Sequence, residues 1–140
     1  MLDRLHGPLA YELRMACMRL TRRVRYDTST LAPHFLAALS AVQRGDASTA
    51  ADLASLERVS APSMSRTVRE LEERGLMTRT QGTDDKRCQI LALTPSGVDA
   101  VDEGRRVRDQ WMLDHLSDCT PEELDTLERA TVIINRLVER

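Results

Sequence analysis

Residues 60–93 read S-A-P-S-M-S-R-T-V-R-E-L-E-E-R-G-L-M-T-R-T-Q-G-T-D-D-K-R-C-Q-I-L-A-L. Ser60 is a good helix N-cap, and Pro62 falls in the first turn, where a missing N–H breaks no intrahelical bond. Met64, Val68 and Leu71 are spaced four and three apart, so they form one inward stripe. Ser63, Arg66, Thr67 and Arg69 fall on other faces, and Gly75 terminates the helix. Two short apolar runs follow, residues 76–80 and 88–93, with the composition of paired strands. Gly82 permits the turn between them, and Asp84, Asp85, Lys86 and Arg87 crowd its tip. The stretch is therefore a helix with a polar outer face leading into a charged hairpin.

Working upstream, Ser48 or Thr49 can cap a short helix running through Leu56, with Ala51, Leu53 and Leu56 as apolar contacts. A helix over residues 31–44 turns Phe35, Leu36, Leu39 and Val42 inward and stops at Gly45. The polar cluster 27–30 is a loop. Residues 7–25 repeat Leu9, Leu13, Ala16, Cys17, Leu20 and Val24 along one helical stripe, with Arg14, Arg22, Arg23 and Arg25 mostly off it. Downstream, Thr94-Pro95 starts a fifth helix, on which Val98, Val101, Arg108, Met112 and His115 or Leu116 trace an irregular stripe, as a long, bent helix would. Thr120-Pro121-Glu122-Glu123 is a cap, an N1 proline and a capping-box glutamate. Leu124, Leu127, Ile134, Leu137 and Val138 continue an apolar face to the end, and such a terminal face must pack somewhere, a second subunit being one place.

The chain has 140 residues, suited to one domain. Its four aromatic residues are Tyr11, Tyr26, Phe35 and Trp111, so the core must be aliphatic. No apolar run approaches the ~20 residues of a membrane span, and no signal-peptide pattern opens the chain, which points to the cytoplasm. Cys17, Cys88 and Cys119 lie far apart and match neither a disulfide framework nor a metal site. His6, His34 and His115 are likewise scattered. No metal, cofactor or catalytic constellation of nucleophile, base and orienter emerges, which argues against an enzyme. The net charge of −2 hides an asymmetry: residues 58–87 carry +2, whereas residues 97–140 carry six Arg against eleven acids. Charge by itself does not point to DNA, so any DNA contact must be positional.

Short hydroxyls and arginines on the outer face of the second of two adjoining helices are the chemistry of a helix-turn-helix. Arginine binds guanine bidentately, and small hydroxyls fit against phosphates or base edges. The ordinary alternative for each of these residues is a solvated helix face or hairpin tip. A winged helix that docks a protein partner is a rival, but it would favour apolar residues where Ser63, Ser65, Arg66 and Arg69 stand.

Taken together, A-D-L-A-S-L-E-R-V-S-A-P-S-M-S-R-T-V-R-E-L-E-E-R-G-L-M-T-R-T, then D-D-K-R, then L-T-P-S-G, resemble the MarR family of bacterial transcription regulators over nearly the whole length. The resemblance implies a mostly α fold with a small β-hairpin. Residues 31–94 would form a winged helix-turn-helix, and residues 1–28 and 95–140 would be dimerisation helices. It implies a homodimeric repressor on a pseudo-palindromic double-stranded DNA operator. Ser60, Pro62, Ser63, Ser65, Arg66 and Arg69 become recognition-helix contacts. Arg87 would reach a minor groove, held by Asp85 or by the neighbouring Asp84, with Lys86 and Arg79 on phosphates. It further implies a small aromatic or phenolic effector between the dimerisation helices and the winged part, where Arg14, Met15, Met18, His34, Phe35 and Leu39 are the positional candidates, each otherwise ordinary core. A thiol-oxidation branch of the family makes Cys17 a redox alternative, although the expectation here is a buried structural thiol, with Cys88 beside the wing more exposed.

Overall fold

The structure, a computed structural model, describes residues 2–28, 30–84 and 87–139, with side chains described from residue 6 onward. Among these residues the chain forms α1 (Leu2–Asp27), α2 (Pro33–Arg44), α3 (Ala50–Glu57), α4 (Ala61–Glu73), β1 (Met77–Gln81), β2 (Gln89–Leu93), α5 (Pro95–Leu116) and α6 (Pro121–Val138). The order is that of a winged helix-turn-helix flanked by long helices. α1 begins five residues before the expected start and carries Pro8 inside it. One lost i→i−4 bond so near a helix end costs little, because water can serve the freed carbonyl.

The caps form as their residue types require. Thr49 accepts the Asp52 N–H while Asp52 accepts the Thr49 N–H, and Thr120 and Glu123 do the same at α6. The Asp52 carboxyl is held below the usual Asp range, first by the Ser48 N–H and then by Thr49, with burial opposing. Ser60 Oγ accepts the Ser63 N–H at 3.2 Å. Arg58 ends α3 in the left-handed region at φ 54°, so the turn between the two adjoining helices is made without a glycine.

One aliphatic core gathers α2, α3, α4, the hairpin and the start of α5. Leu39, Leu53, Val68 and Leu71 are fully buried, and Phe35, Met64, Met77, Leu91 and Val101 nearly so. On the short α3 the buried pair is Leu53 and Ala54; Ala51 and Leu56, expected as contacts, point outward. An eight-residue helix touches the core along one narrow strip, and those two positions lie off it. The strands pair antiparallel from Met77↔Leu93 to Gln81↔Gln89. Leu91 N–H also donates to Ser48 O at 2.8 Å, which ties the hairpin to the α2–α3 connection.

The L-T-P-S-G segment has a physical explanation here. Thr94 Oγ1 donates to Gly75 O and accepts the Gly97 N–H, so one hydroxyl joins the end of α4 to the start of α5. Gly97 is buried, and a Cβ there would sit 2.0 Å from Leu76 O. Glycine is required by that close approach of backbone to backbone.

Trp111 fastens α5 to the end of α1. Its Nε1 donates to Asp27 Oδ2 at 2.9 Å, and Arg23 Nε donates to the same oxygen at 2.9 Å. His115 stacks on the indole with centroids 3.6 Å apart. The Trp111 hydrogen bond, ahead of the Arg23 bond and the charges of Arg23 and His115, holds the Asp27 carboxyl below the usual range against the opposing effect of burial. A lowered carboxylate pKa favours folding above the ordinary Asp value and loses that contribution as pH falls through the lowered value.

Gly97→Ala should destabilise the fold by about 1–3 kcal/mol in urea titrations, although alanine is the better helix former. Gly104→Ala, whose Cβ would meet only movable side-chain ends, Leu36 Cδ2 at 3.4 Å, Leu36 Cδ1 at 3.6 Å and Arg108 Nη2 at 3.9 Å, should cost less. Trp111→Phe should move the Asp27 titration up toward the ordinary Asp range, as read by carboxyl carbon NMR, and should weaken the acid-side dependence of stability.

Candidate nucleic-acid interface

α4 sorts its residues by face. Met64, Val68 and Leu71 are buried, while Pro62, Ser63, Ser65, Arg66 and Arg69 are exposed on the opposite side. Positions 62, 65, 66 and 69 are three or four apart, so they form one contiguous outer strip. Two of its members are arginines. Ser60 is exposed at the N-terminus of α4; its Oγ is already an acceptor for Ser63, which leaves its O–H to donate. The helix N-terminus adds a favourable field for phosphate at the same end.

The hairpin extends beside this strip. Gly82 N–H donates to Cys88 O at 2.8 Å beyond the last strand pair, and Asp84 and Arg87 are exposed toward the tip. Asp85 and Lys86, expected as the arginine's holder and a phosphate contact, lie outside the described residues. Arg79 is placed otherwise than expected for a phosphate contact. Its guanidinium is half-buried against Glu72 of α4, with Nε and Nη2 donating to Oε2 at 2.9 and 2.8 Å.

The six expected effector residues are not gathered at one site, although Arg14 meets Met18 and the His34 and Phe35 rings lie 4.1 Å apart. Phe35 and Leu39 are core, and His34 is exposed at the start of α2. Arg14 lies over the Tyr11 ring at 5.5 Å and donates to Met18 Sδ at 3.5 Å, on the exposed surface of α1. Met15 is half-buried on the same helix. A cleft of about 530 Å³ opens instead between the second half of α1, α2 and α5. Leu20, Val24, Leu36 and Met112 supply its apolar wall, Arg25, Arg44 and Arg108 its cations, and Glu57 an anion. Buried Thr28, whose Oγ1 donates to Val24 O at 2.6 Å, sits in its lining. None of the six lines it. Arg108 was visible in the sequence as a charge on the irregular stripe of α5, and that misfit was the available signal. A smaller cavity of about 350 Å³ lies beside α4 and includes His34, Ser63 and Arg66.

Cys17 is exposed rather than buried, because the apolar stripe of α1 is itself largely uncovered within the chain; Cys88 is exposed too, and Cys119 is half-buried. Among the described residues no group of three or more His, Cys, Asp or Glu is arranged to hold a metal ion. No described helix is long and apolar enough to cross a membrane.

The family model "MarR family" matches residues 33–89, which span α2 to the start of β2. An uncharacterized HTH-type transcriptional regulator of Mycobacterium bovis is 32% identical over 133 residues, covering 94% of this chain and 93% of the relative. Among solved structures, a putative transcriptional regulator of Pseudomonas aeruginosa superimposes with a TM-score of 0.84 at 26% identity, covering 98% of this chain and 97% of the other. A mutant MepR of Staphylococcus aureus bound to an oligodeoxyribonucleotide shares the fold, with a TM-score of 0.69 at 21% identity, over 92% of this chain and 97% of that one. With its outer strip on α4, its hairpin wing and these likenesses, the chain belongs to the MarR family of winged helix-turn-helix, DNA-binding transcriptional regulators and is not an enzyme.

Proposed function

We propose that the protein is a homodimeric repressor whose operator binding is relieved by a small molecule. The observation that carries the DNA part is the segregation of α4: a fully apolar inner stripe forces Ser65, Arg66 and Arg69 outward as a unit. That strip suits the major groove, and the adjoining wing suits a flanking minor groove. In this reading residues 31–94 form the DNA-binding part, and residues 1–28 and 95–140 the dimerisation arms, in the cytoplasm.

Support for the dimer is the state of the terminal helices. α6 has no buried residue at all. Leu124, Leu127, Ile133 and Leu137 on α6, with Leu9 and Leu20 on α1, are left 41–60% exposed. Apolar surface on this scale marks an association surface, and one isologous seam would cover both copies. Support for an effector is the 530 Å³ cleft, within the usual range for small-molecule sites. Its apolar wall and its three arginines, which outnumber the single Glu57, suit an aromatic body carrying an acid or phenolate. A ligand there would touch both α1 and α5 and so bias how the arms hold the two recognition helices. The DNA-bound MepR neighbour is consistent with the first part of this reading.

Selection from a random duplex pool tests the proposal. It should return a pseudo-palindrome with half-site centres ~10 base pairs or a multiple apart, and a single asymmetric half-site would overturn the dimeric reading. Arg87→Ala should weaken binding to all sequences and lower the salt slope by about 1. Arg66→Ala or Arg69→Ala should cost about 1–3 kcal/mol and relax preference at one base position for whichever residue reads guanine. Leu127→Asp should shift the protein from dimer to monomer in sedimentation equilibrium.

A further inference from the structure

Three elements meet at one guanidinium. Glu72 stands in the last turn of α4, Arg79 at the centre of β1 and Gln89 at the start of β2. Arg79 Nε and Nη2 donate to Glu72 Oε2 at 2.9 and 2.8 Å, and Nη1 donates to Gln89 Oε1 at 3.2 Å. Both ion-pair side chains are mostly covered, at 28% and 30% exposure. The surface pair Arg106–Glu103 is far more open.

The pleat explains why. Alternate strand residues share a face, and directly opposed residues of an antiparallel pair share it too. Arg79 is opposed to Leu91, and Met77 to Leu93. Met77 and Leu91 are buried in the core. Arg79 therefore stands on the face of the hairpin that packs on the body of the protein, toward α4. Gln89 is its diagonal neighbour on the same face. The hairpin's outward face carries Thr78 and Thr80 instead.

We propose that Glu72, Arg79 and Gln89 form a positioning clamp that sets the angle between the recognition helix and the wing. Arg79 then serves DNA binding through Glu72 and not by touching phosphate. The core contacts of Met77, Leu91 and Leu93 anchor the base of the hairpin, and residues 81–89 contain no Val, Ile, Leu or Met to anchor the rest. The clamp lies at that transition. A charged, partly covered guanidinium, with two N–H groups converging on one Glu72 oxygen and a third on Gln89, is restrained from both sides as a single surface contact is not. Two groove contacts made at once reward a fixed angle, since any slack must be removed on binding. The proposal rests on the reading of α4 and the wing as the DNA-contacting parts.

The experiment compares wild type, Glu72→Ala, Arg79→Ala and the charge-exchanged pair Glu72→Arg with Arg79→Glu. Affinities for the selected operator and for an unrelated duplex are measured across salt concentrations, alongside amide hydrogen exchange of the DNA-free protein. Glu72→Ala should weaken operator binding roughly 3- to 30-fold even though it removes a negative charge, the span expected for a coupled charged pair. Both single variants should leave the salt slope and the unrelated-duplex affinity unchanged. Both should speed exchange in residues 77–81 and 89–93 while α2 stays protected. The exchanged pair should recover both properties in part. The clamp is overturned if Glu72→Ala binds operator as tightly as wild type or tighter while Arg79→Ala lowers the salt slope by about 1, which is the signature of a phosphate contact. It is equally overturned if protection falls uniformly through the fold, the mark of general stability. Should wild type select no DNA, the reading of α4 fails separately, and hydrogen exchange alone decides whether the pair holds the hairpin.

Discussion

Everything in this molecule depends on how the inner stripe of α4 is buried. Met64, Val68 and Leu71 pack with Leu39 of α2, Leu53 of α3 and Met77 and Leu91 of the hairpin. Burying a leucine or methionine stabilises a fold by about 1.5–3 kcal/mol, so the rotation of α4 about its axis is strongly determined. That rotation decides which residues of α4 face outward. Arg66 and Arg69 face outward because their neighbours cannot.

Polar links finish what the aliphatic core begins. Thr94 joins the end of α4 to the start of α5, and Gly97 lets α5 press against Leu76 O. Glu72, Arg79 and Gln89 join α4 to both strands of the hairpin. These links have one feature in common: each ties α4 or the hairpin to an element that is itself held by the core. The arrangement places the strip of α4 and the wing in a defined relation with very little buried charge.

The outer helices obey a different constraint. α1 and α5 are fastened by Trp111 and Asp27, yet most of the apolar surface of α1 and α6 stays open within one chain. The cleft lies between that fastening and α2, so α1, α2 and α5 all contribute to its walls. A molecule bound there would act on the relation among these helices.

Much of this was legible in the sequence, and the reason is range. The caps at Ser60, Thr94 and Thr120 and the stripe of α4 are interactions within four residues, and each formed where its residues predicted. The two strands fell within a residue or so of their expected ends. The misreadings involve longer range. Ala51 and Leu56 look like core by type, but only the docking of α3 selects Leu53 and Ala54. Cys17 lies on an apolar stripe that one chain does not cover. The six effector candidates lie on α1 and α2, as part of the cleft does, without lining it, which sequence spacing does not reveal. The sequence by itself determined the element order, the family likeness and the outward strip of α4, because short-range periodicity and capping suffice for those. Only the tertiary structure decided that Arg79 turns to Glu72 and that Arg25 and Arg108 share a cleft, because those pairings exist only once separate elements have packed.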